Sequence, residues 1–308
     1  MKNNIACSMI TGEELIDVDG ANHTSSTIEM FDASKRYDVA VIDEGQMVGD
    51  KDRGGYWAAA ILGVYAPEVH ICTAPEGVTL IKRLIAMCRD EVEEVAHKRT
   101  VPLVAQSETF RYPSDVRDGD ALIVFSKKDV LELASDLQRR GSEVSVVYGA
   151  LPYDVRREEV RRFSDGETKI LVSTDAIGMG MNLPIKRVVF MKRKKYDGVS
   201  YRNHLPAEVQ QIAGRAGRYG LYDCGSYVGA HSDKTFIISK MMEKPRDAQS
   251  TFLPFPKSLL ESDILLSNLI VQWEAYQIKN DFIKCKGLDV SELPRLTCGE
   301  AALSGGAS

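Results

Sequence analysis

Two adjacent carboxylates close a short apolar run and are the first residues in the chain that could do chemistry. The run at residues 39–42 ends in Asp43 and Glu44, which begin the sequence DEGQ. A buried strand that ends in acids presents them at the carboxyl edge of an α/β sheet, where ligands bind. In phosphate-hydrolysing folds such an Asp holds Mg²⁺ and a neighbouring Glu orients the attacking water. The alternative is that the two acids only solvate the end of the strand.

A second candidate is the sequence QQIAGRAGR, which contains two arginines and two glycines. On a helix Gln211, Arg215 and Arg218 are four and three residues apart, so they share one face. Gly214 and Gly217 each cost a helix roughly 1 kcal/mol relative to alanine, which indicates close approach by another backbone or a ligand. Two arginines placed in this way can clamp a transferring phosphoryl group. The alternative is a solvated basic helix with a fraying end.

A third candidate lies between these two, in the sequence ILVSTDAIGMGMNLP. Its strand-like start leads into Thr174 and Asp175, and then into Gly178, Gly180 and Asn182. A glycine-bearing loop after a strand can offer backbone N–H groups to a phosphate, and an Asp can bind a sugar hydroxyl. An ordinary strand-to-helix loop is the alternative.

The elements that must position these residues alternate between strand-like and helical patterns, which predicts parallel sheets covered by helices. In the first 108 residues the predicted strands are 5–9, 26–30, 39–42, 69–72 and 92–96, and the predicted helices are 56–65 and 76–89. After a polar stretch at 113–119, which indicates a linker, the predicted strands are 121–125, 144–148, 169–173 and 187–191. The predicted helices there are 130–140, 153–163 and 206–218, and apolar spacing from 265 to 276 predicts the start of a helical region.

Composition excludes several classes of protein. The net charge is −5, so any nucleic-acid contact must come from local patches rather than from the field of the whole chain. The basic run at 191–195 could grip phosphates, but a solvated loop is the favoured interpretation. The six cysteines form no CxxC pair, which is typical of reduced thiols in an intracellular protein. No apolar segment approaches the roughly 18 residues that span a membrane, so no membrane partner is expected.

The three candidates, as DEGQ, TDAIGMGMN and QIAGRAGR in this order, resemble motifs II, V and VI of superfamily-two helicases. Further stretches narrow the resemblance, namely MITGEE, STIEM, EVHIC, FSKKDV, VVYGALP and SNLI. Together they are similar to the mitochondrial degradosome RNA helicases of the Suv-three type and their bacterial relatives, over about residues 5–275. The resemblance implies an ATP-dependent RNA helicase with ATP between two RecA-like domains, with RNA as its substrate and an exoribonuclease as a candidate partner.

The resemblance also implies roles for individual residues in ATP hydrolysis. Asp43 would be the Mg²⁺ ligand, Glu44 would activate water, and Gln46 and Gln211 would couple the ATP site to the opposite domain. The implied arginine fingers are Arg215 and Arg218. The residues implied to line the nucleotide are Asp175, Gly180 and Asn182. The residues implied to touch the nucleic-acid backbone are Thr11, Gly12, Ser126 and Thr174.

The sequence departs from the family pattern at one important point. The family's first RecA-like domain begins with a phosphate loop, G-x-x-x-x-G-K-[ST], whereas this sequence contains no Gly-Lys dipeptide. The expected architecture is therefore α/β, with an incomplete first RecA-like domain at 1–108 that lacks the Walker A strand, loop and helix. A second RecA-like domain at 109–245 and a truncated helical C-terminal region at 246–308 would follow. We expect a polypeptide of these 308 residues to be inactive by itself.

Two other functions remain open at this level. The chain could be a non-catalytic nucleic-acid-binding remnant or one part of a split helicase, and a DNA translocase would share every motif. The start MKNNIACSMITGEE lacks the long apolar core of a signal peptide. A cytoplasmic location is therefore favoured, with a mitochondrial one as the alternative for a longer eukaryotic parent.

Overall fold

The computed structural model describes residues 5–178, 180–253, 264–275 and 282–285. The chain forms two compact units. Unit 1 contains Met1–Glu93 and Asp247–Ser308, and unit 2 contains Glu94–Arg246. The boundary predicted at 108/109 therefore lies inside unit 2, because the segment that follows Glu94 supplies an edge strand to the sheet of unit 2.

Unit 1 begins with small sheets and two helices. Its strands are β1 (Cys7–Ile10), β2 (Leu15–Ile16), β3 (His23–Ser26), β4 (Val39–Ile42) and β5 (Glu68–Ile71), and its helices are α1 (Gly54–Gly63) and α2 (Pro75–Cys88). β1 pairs antiparallel with β2 and parallel with β3, while β4 and β5 form a separate parallel pair. The strand predicted at 26–30 is instead the end of β3 and a 3₁₀ turn, and the one predicted at 92–96 has no regular structure.

The helices of unit 1 form where the sequence favours them. α2 carries Pro75 in its first turn, where the missing N–H costs nothing. Its buried residues Leu80, Ile81 and Leu84 are spaced as one helical face and pack with Trp57 of α1. This packing places both helices behind the turn that follows β4, because Val48 of that turn lies in the same core.

Unit 2 is built on a six-stranded parallel sheet in the order β6-β13-β10-β7-β9-β8. These strands are β6 (Leu103–Ala105), β7 (Asp120–Ile123), β8 (Val144–Val147), β9 (Ile170–Ser173), β10 (Arg187–Phe190) and β13 (Gly225–Gly229). A separate antiparallel hairpin contains β11 (Lys194–Tyr196) and β12 (Tyr201–Asn203). The helices are α3 (Lys127–Arg139), α4 (Tyr153–Ser164), α5 (Pro206–Ala213) and α6 (Lys234–Met242).

The central strands of this sheet are buried on both faces, as expected of a parallel sheet covered by helices. One ion pair lies within this core. Arg187 on β10 donates to the Asp120 carboxylate on β7 through Nε, at 2.7 Å, and through Nη2, at 2.6 Å. Both residues are almost fully buried, so the pair connects neighbouring strands in a medium of low dielectric constant.

Several elements of unit 2 differ from the sequence prediction. The helix predicted at 206–218 ends at Ala213, while the hairpin, β6, β13 and α6 were not predicted. β13 has the sequence GSYVG, whose two glycines hide the usual strand signal.

The last described elements are β14 (Thr251–Leu253), α7 (Leu266–Ala275) and β15 (Ile283–Cys285). β14 pairs parallel with β15 and contacts α1, and Ile283 is buried in the core of unit 1. The Ala248 N–H donates to the carbonyl of Glu76, which connects this segment to the start of α2. The region predicted as a separate helical stub at 246–308 thus includes strands that belong to unit 1. Within the described ranges, no helix is long and apolar enough to cross a membrane.

Candidate functional site

The acidic turn of unit 1 follows β4 directly. Asp43 is exposed, and its Oδ1 accepts the backbone N–H of Glu44 at 2.8 Å. Glu44 adopts a left-handed backbone conformation, with φ 53° and ψ 40°, and starts a 3₁₀ turn over Gly45–Gly49. Such a conformation is uncommon for a non-glycine residue and is concentrated at functional sites. The turn therefore directs two consecutive carboxylates away from the strand.

Gln46 fixes the orientation of this turn. Its Nε2 donates to Glu44 Oε2 at 2.6 Å, and its Oε1 accepts the N–H of Ala74 at 3.0 Å. The backbone of Gly45 is held in turn, because its N–H donates to the carbonyl of Cys72 at 2.8 Å. The loop that follows β5 thus holds the acidic turn through hydrogen bonds to Gly45 and Gln46. Gln46 in turn fixes the position of the Glu44 carboxylate.

The chemistry of this turn fits Mg²⁺. Mg²⁺ prefers oxygen ligands and is usually held by one or two carboxylates, with water and substrate phosphates completing an octahedron. The exposed Asp43 carboxylate supplies such an oxygen, since only Oδ1 is used by the backbone of the turn. In the part of the chain that the structure describes, no three His, Cys, Asp or Glu side chains cluster as a complete metal cage.

In unit 2 the loop after β9 contains Asp175, which is half-exposed and paired. Lys195 Nζ lies 2.8 Å from Asp175 Oδ2 and 2.7 Å from Glu208 Oε1, and therefore bridges β11, α5 and this loop. Burial opposes the charge of Lys195, but the two carboxylates outweigh it and raise its pKa. Burial likewise opposes the charge of Glu208, but hydrogen bonds from Arg202 and its neighbours outweigh it and lower its pKa.

The arginine segment does not continue the helix as predicted. α5 ends at Ala213, so Gln211, Arg215 and Arg218 do not share a helical face. The segment turns because Gly217 has φ +74°, and a Cβ there would lie 2.5 Å from the backbone nitrogen of Gly225. The close approach that the glycines indicated is therefore an approach of backbone, at the start of β13.

The side chains of Gln211, Arg215 and Arg218 nevertheless all contact the loop after β9. Arg215 Nη2 donates to the carbonyl of Gly178, and Arg218 Nη1 donates to the carbonyl of Asn182 at 3.1 Å. A Cβ on Gly178 would lie 3.7 Å from the side-chain carbon Cδ of Gln211. Gln211 Nε2 is buried and has no hydrogen-bond partner among the described residues. Both candidate motifs of unit 2 thus meet at residues 175–182.

The residues implied in backbone contacts with RNA have local roles in the structure. Thr11 Oγ1 accepts the N–H groups of Glu13 and Glu14, and Ser126 Oγ caps α3 by accepting the N–H of Asp129. Thr174 is buried, and its Oγ1 accepts the N–H of Ala176. Ser126 and Thr174 both follow the carboxyl ends of neighbouring strands, so they lie at the same edge of the sheet of unit 2.

Gly12 and Gly180 complete the set of sequence candidates. A Cβ on either glycine would meet nothing within 4 Å, so neither is needed for packing. Gly180 has φ +69°, a conformation that glycine adopts without strain. It therefore permits the bend at Gly180.

Sequence reasoning missed the residues that support these motifs. Lys195 was treated as part of a solvated basic run, yet its side chain is only 18% exposed. Glu208 lies three residues after the helix N-cap, and its Oε2 accepts the N–H of Leu205 at 2.8 Å, which is half of a capping box. In the sequence, Pro206 followed by Glu208 could have predicted this helix start and the capping role of Glu208. Arg99 donates to the backbone carbonyls of Gly214 and Ala216, on both sides of Arg215. It lies in a segment without regular structure, so no pattern in the sequence indicated this role.

Comparison with known proteins matches two parts of the chain to helicase domains. Residues 1–97 match the family model described as the DEXQ-box helicase domain of Suv3, and residues 105–220 match the helicase conserved C-terminal domain. The fold is similar to that of a Saccharomyces cerevisiae Dbp5 variant bound to RNA and ADP–BeF3, with a TM-score of 0.56 at 14% identity, covering 96% of this chain and 74% of that one. The expected α/β class with RecA-like architecture is confirmed.

Three curated relatives show the closeness of the match. The chain is 39% identical to the mitochondrial DExH-box ATP-dependent RNA helicase DExH16 of Arabidopsis thaliana, over 79% of this chain and 43% of that protein. It is 41% identical to the mitochondrial ATP-dependent RNA helicase SUV3 of Candida albicans, over 82% of this chain and 36% of that protein. It is 34% identical to the mitochondrial ATP-dependent RNA helicase SUV3 of Saccharomyces cerevisiae, over 87% of this chain and 38% of that protein. The chain thus spans less than half the length of these relatives.

The same names correct one expectation. A cytoplasmic location was favoured from the sequence, but all three of these relatives are named as mitochondrial. The cytoplasmic prediction is wrong, because the lack of an apolar leader says nothing about import signals of another type.

Proposed function

This chain belongs to the Suv3 family of superfamily-two ATP-dependent RNA helicases, and on that premise we propose that it couples ATP hydrolysis to movement along RNA. The observation that carries the proposal is the convergence of Arg215 and Arg218 on the loop at 175–182. Two guanidinium groups that reach one loop across the turn after α5 provide a cationic clamp for a phosphoryl group.

In the proposed mechanism the acidic turn of unit 1 serves the metal and the water. Asp43 would hold Mg²⁺ through its exposed carboxylate, and the ion would neutralise charge on the β- and γ-phosphates. Glu44 would accept a hydrogen bond from the attacking water and orient it. Gln46 keeps the Glu44 carboxylate in place through the 2.6 Å hydrogen bond, so its role is one of positioning.

The residues of unit 2 would bind the nucleotide and stabilise the developing charge. Arg215 and Arg218 now donate to carbonyl oxygens, which are acceptors that phosphate oxygens can replace. Phosphoryl transfer needs little covalent help from the protein, so positioned cations account for most of the rate. Asp175 and Asn182 would contact the nucleotide beside them. Gln211 would respond to bound nucleotide by donating a hydrogen bond from its buried Nε2.

RNA would be held by the loops that follow parallel strands. Thr11, Gly12, Ser126 and Thr174 contribute hydroxyl and backbone groups, which grip the sugar-phosphate backbone without reading sequence. Thr174 would do so through its hydroxyl, which accepts the N–H of Ala176 and can still donate, since its backbone N–H is already donated to the carbonyl of Val147. The proposal also carries over the mitochondrial location of the relatives and association with an exoribonuclease, the partner that the resemblance implied.

The proposal is tested by RNA-stimulated ATP hydrolysis in the native protein that contains this chain. Arg215→Ala or Arg218→Ala should lower kcat by about 10³, the scale of an arginine finger. Arg161→Ala is the matched control, because Arg161 is an exposed arginine that pairs only with surface carboxylates in the described structure. Turnover within twofold of wild type in either finger variant would remove that arginine from the proposed role.

A further inference from the structure

The turn that carries the two arginines needs support beyond α5. Carbonyl groups in a turn that follows a helix lie outside the hydrogen-bond pattern of the helix, so they must be bound by other groups. α5 is only eight residues long, and the chain continues past Gly214 in a turn with a positive φ at Gly217. The position of Arg215 therefore depends on what binds the carbonyl groups of this turn.

Arg99 binds these carbonyl groups from a distant part of the chain. Its Nη1 donates to the carbonyl of Gly214 at 2.7 Å, and its Nη2 donates to the carbonyl of Ala216. Nη2 also lies 3.4 Å from the carbonyl of Gly217, and Nε donates to that of Val101 at 2.7 Å. One planar guanidinium thus spans the backbone on both sides of Arg215.

The charge of Arg99 suits this location. A cation near the end of a helix interacts favourably with the helix dipole and with carbonyl oxygens. Partial burial against the turn lowers the pKa of Arg99, but an arginine keeps its proton at any physiological pH. Lysine could not reproduce the contact, because an ammonium group lacks the planar fork that reaches several carbonyls at once.

We propose that Arg99 is a positioning residue for the arginine fingers. It holds the carbonyls of Gly214 and Ala216, and thereby sets the direction in which Arg215 leaves the turn toward Gly178. The effect on Arg218 is transmitted through Gly217, whose N–H is anchored separately to the carbonyl of Ile185 at 2.9 Å. The functional consequence rests on the proposed function, whereas the structural consequence does not.

The structural consequence is tested by NMR on the 308-residue chain, with Arg99→Ala, Arg99→Lys and the exposed-arginine control Arg139→Ala. In Arg99→Ala the side-chain Nε–H signals of Arg215 and Arg218 should shift or broaden. Amide exchange at Gly217 should rise by about tenfold, because its hydrogen bond to Ile185 would open more often once Arg99 no longer holds the neighbouring carbonyl of Ala216. Amides of β9 should stay within twofold of wild type, and Arg99→Lys should restore the signals only in part.

Two outcomes of this experiment would overturn the proposal. Unchanged Arg215 and Arg218 signals in Arg99→Ala would show that the turn holds itself. Equal loss of protection throughout unit 2 would show that Arg99 supports the whole fold rather than the turn.

The functional consequence is measured as ATP turnover by the native protein. Arg99→Ala should lower kcat about tenfold, as misplacement of catalytic groups does, with the KM for ATP within twofold. A change in KM alone would contradict the positioning role. If the wild-type protein shows no turnover, the proposed function fails, and the NMR signals still decide whether Arg99 positions the turn.

Discussion

The buried ion pair of unit 2 gives the sharpest prediction about stability. Asp120 and Arg187 connect β7 and β10 at the centre of the sheet and are almost excluded from water. Asp120→Asn keeps the shape of the side chain but removes its charge, and its amide N–H₂ would face a guanidinium that can only donate. The variant therefore leaves a buried cation that has lost its carboxylate.

The expected cost follows from the partners that remain. Breaking a buried pair costs about 3–5 kcal/mol in unfolding free energy. Arg187 keeps hydrogen bonds to the Gln106 side chain and to the carbonyl of Asp115, which favours the lower end of this range. For a unit of about 150 residues, each kcal/mol shifts the midpoint by roughly 2–4 °C, so we expect a fall of about 6–12 °C.

Calorimetry and urea unfolding monitored within unit 2 would measure this change. Asp165→Asn is the matched control, because Asp165 pairs with Arg161 at 2.9 Å on the surface. Exposed pairs contribute about 0–1 kcal/mol, so its midpoint should move little. The double variant Asp120→Leu/Arg187→Met should recover much of the lost stability, since an apolar pair buries no charge.

The reasoning would be refuted by equal midpoints for Asp120→Asn and Asp165→Asn. It would also fail if the double variant were less stable than Asp120→Asn, because the cost would then come from lost packing rather than from an unpaired charge.

Further predictions concern pH, RNA and activity. Because hydrogen bonds lower the pKa of Glu208 below its ordinary value of 4.5, its contribution to stability is present above that pH and is lost below it. Acid titration of unfolding should therefore show a shallower loss of stability below pH 4.5 in Glu208→Gln than in wild type. Single-stranded RNA should bind the 308-residue chain weakly and less tightly as salt rises; tight binding without a salt slope would contradict a backbone grip. That polypeptide alone, which has no G-x-x-x-x-G-K-[ST] sequence, should show no ATP hydrolysis above background, and RNA-stimulated turnover by it would contradict the role given to this motif.

Local signals in the sequence predicted the elements that carry the acidic turn and four of the six strands in the sheet of unit 2. β4 begins and ends where its apolar run does, and α2 begins with a proline as expected. β13 was not found, because its glycines serve close approaches of backbone, Gly225 to Gly217 and Gly229 to Asp233, rather than strand propensity. The early end of α5 has the same cause, since the turn is imposed by a contact with a distant strand.

The supporting residues of the site could not be read from sequence for a related reason. Arg99 and Gly214 are far apart along the chain and come together only in the folded unit. Lys195 looked like one member of a basic run, and only the fold shows that it alone faces both Asp175 and Glu208. Sequence spacing can predict which residues lie together on one helix or strand. Arg99 and Lys195 contact residues of other segments, and spacing does not predict such contacts.

The most direct test of the proposed function is the role of Glu44. RNA-stimulated ATP hydrolysis should be compared in the native protein containing this chain, as wild type, Glu44→Gln and the exposed control Glu68→Gln. Glu44→Gln keeps the shape of the side chain but removes the carboxylate that orients water, so turnover should fall by a factor of about 10²–10⁴. ATP and RNA binding should persist, and the control should behave as wild type. Turnover by Glu44→Gln within twofold of wild type would contradict the account.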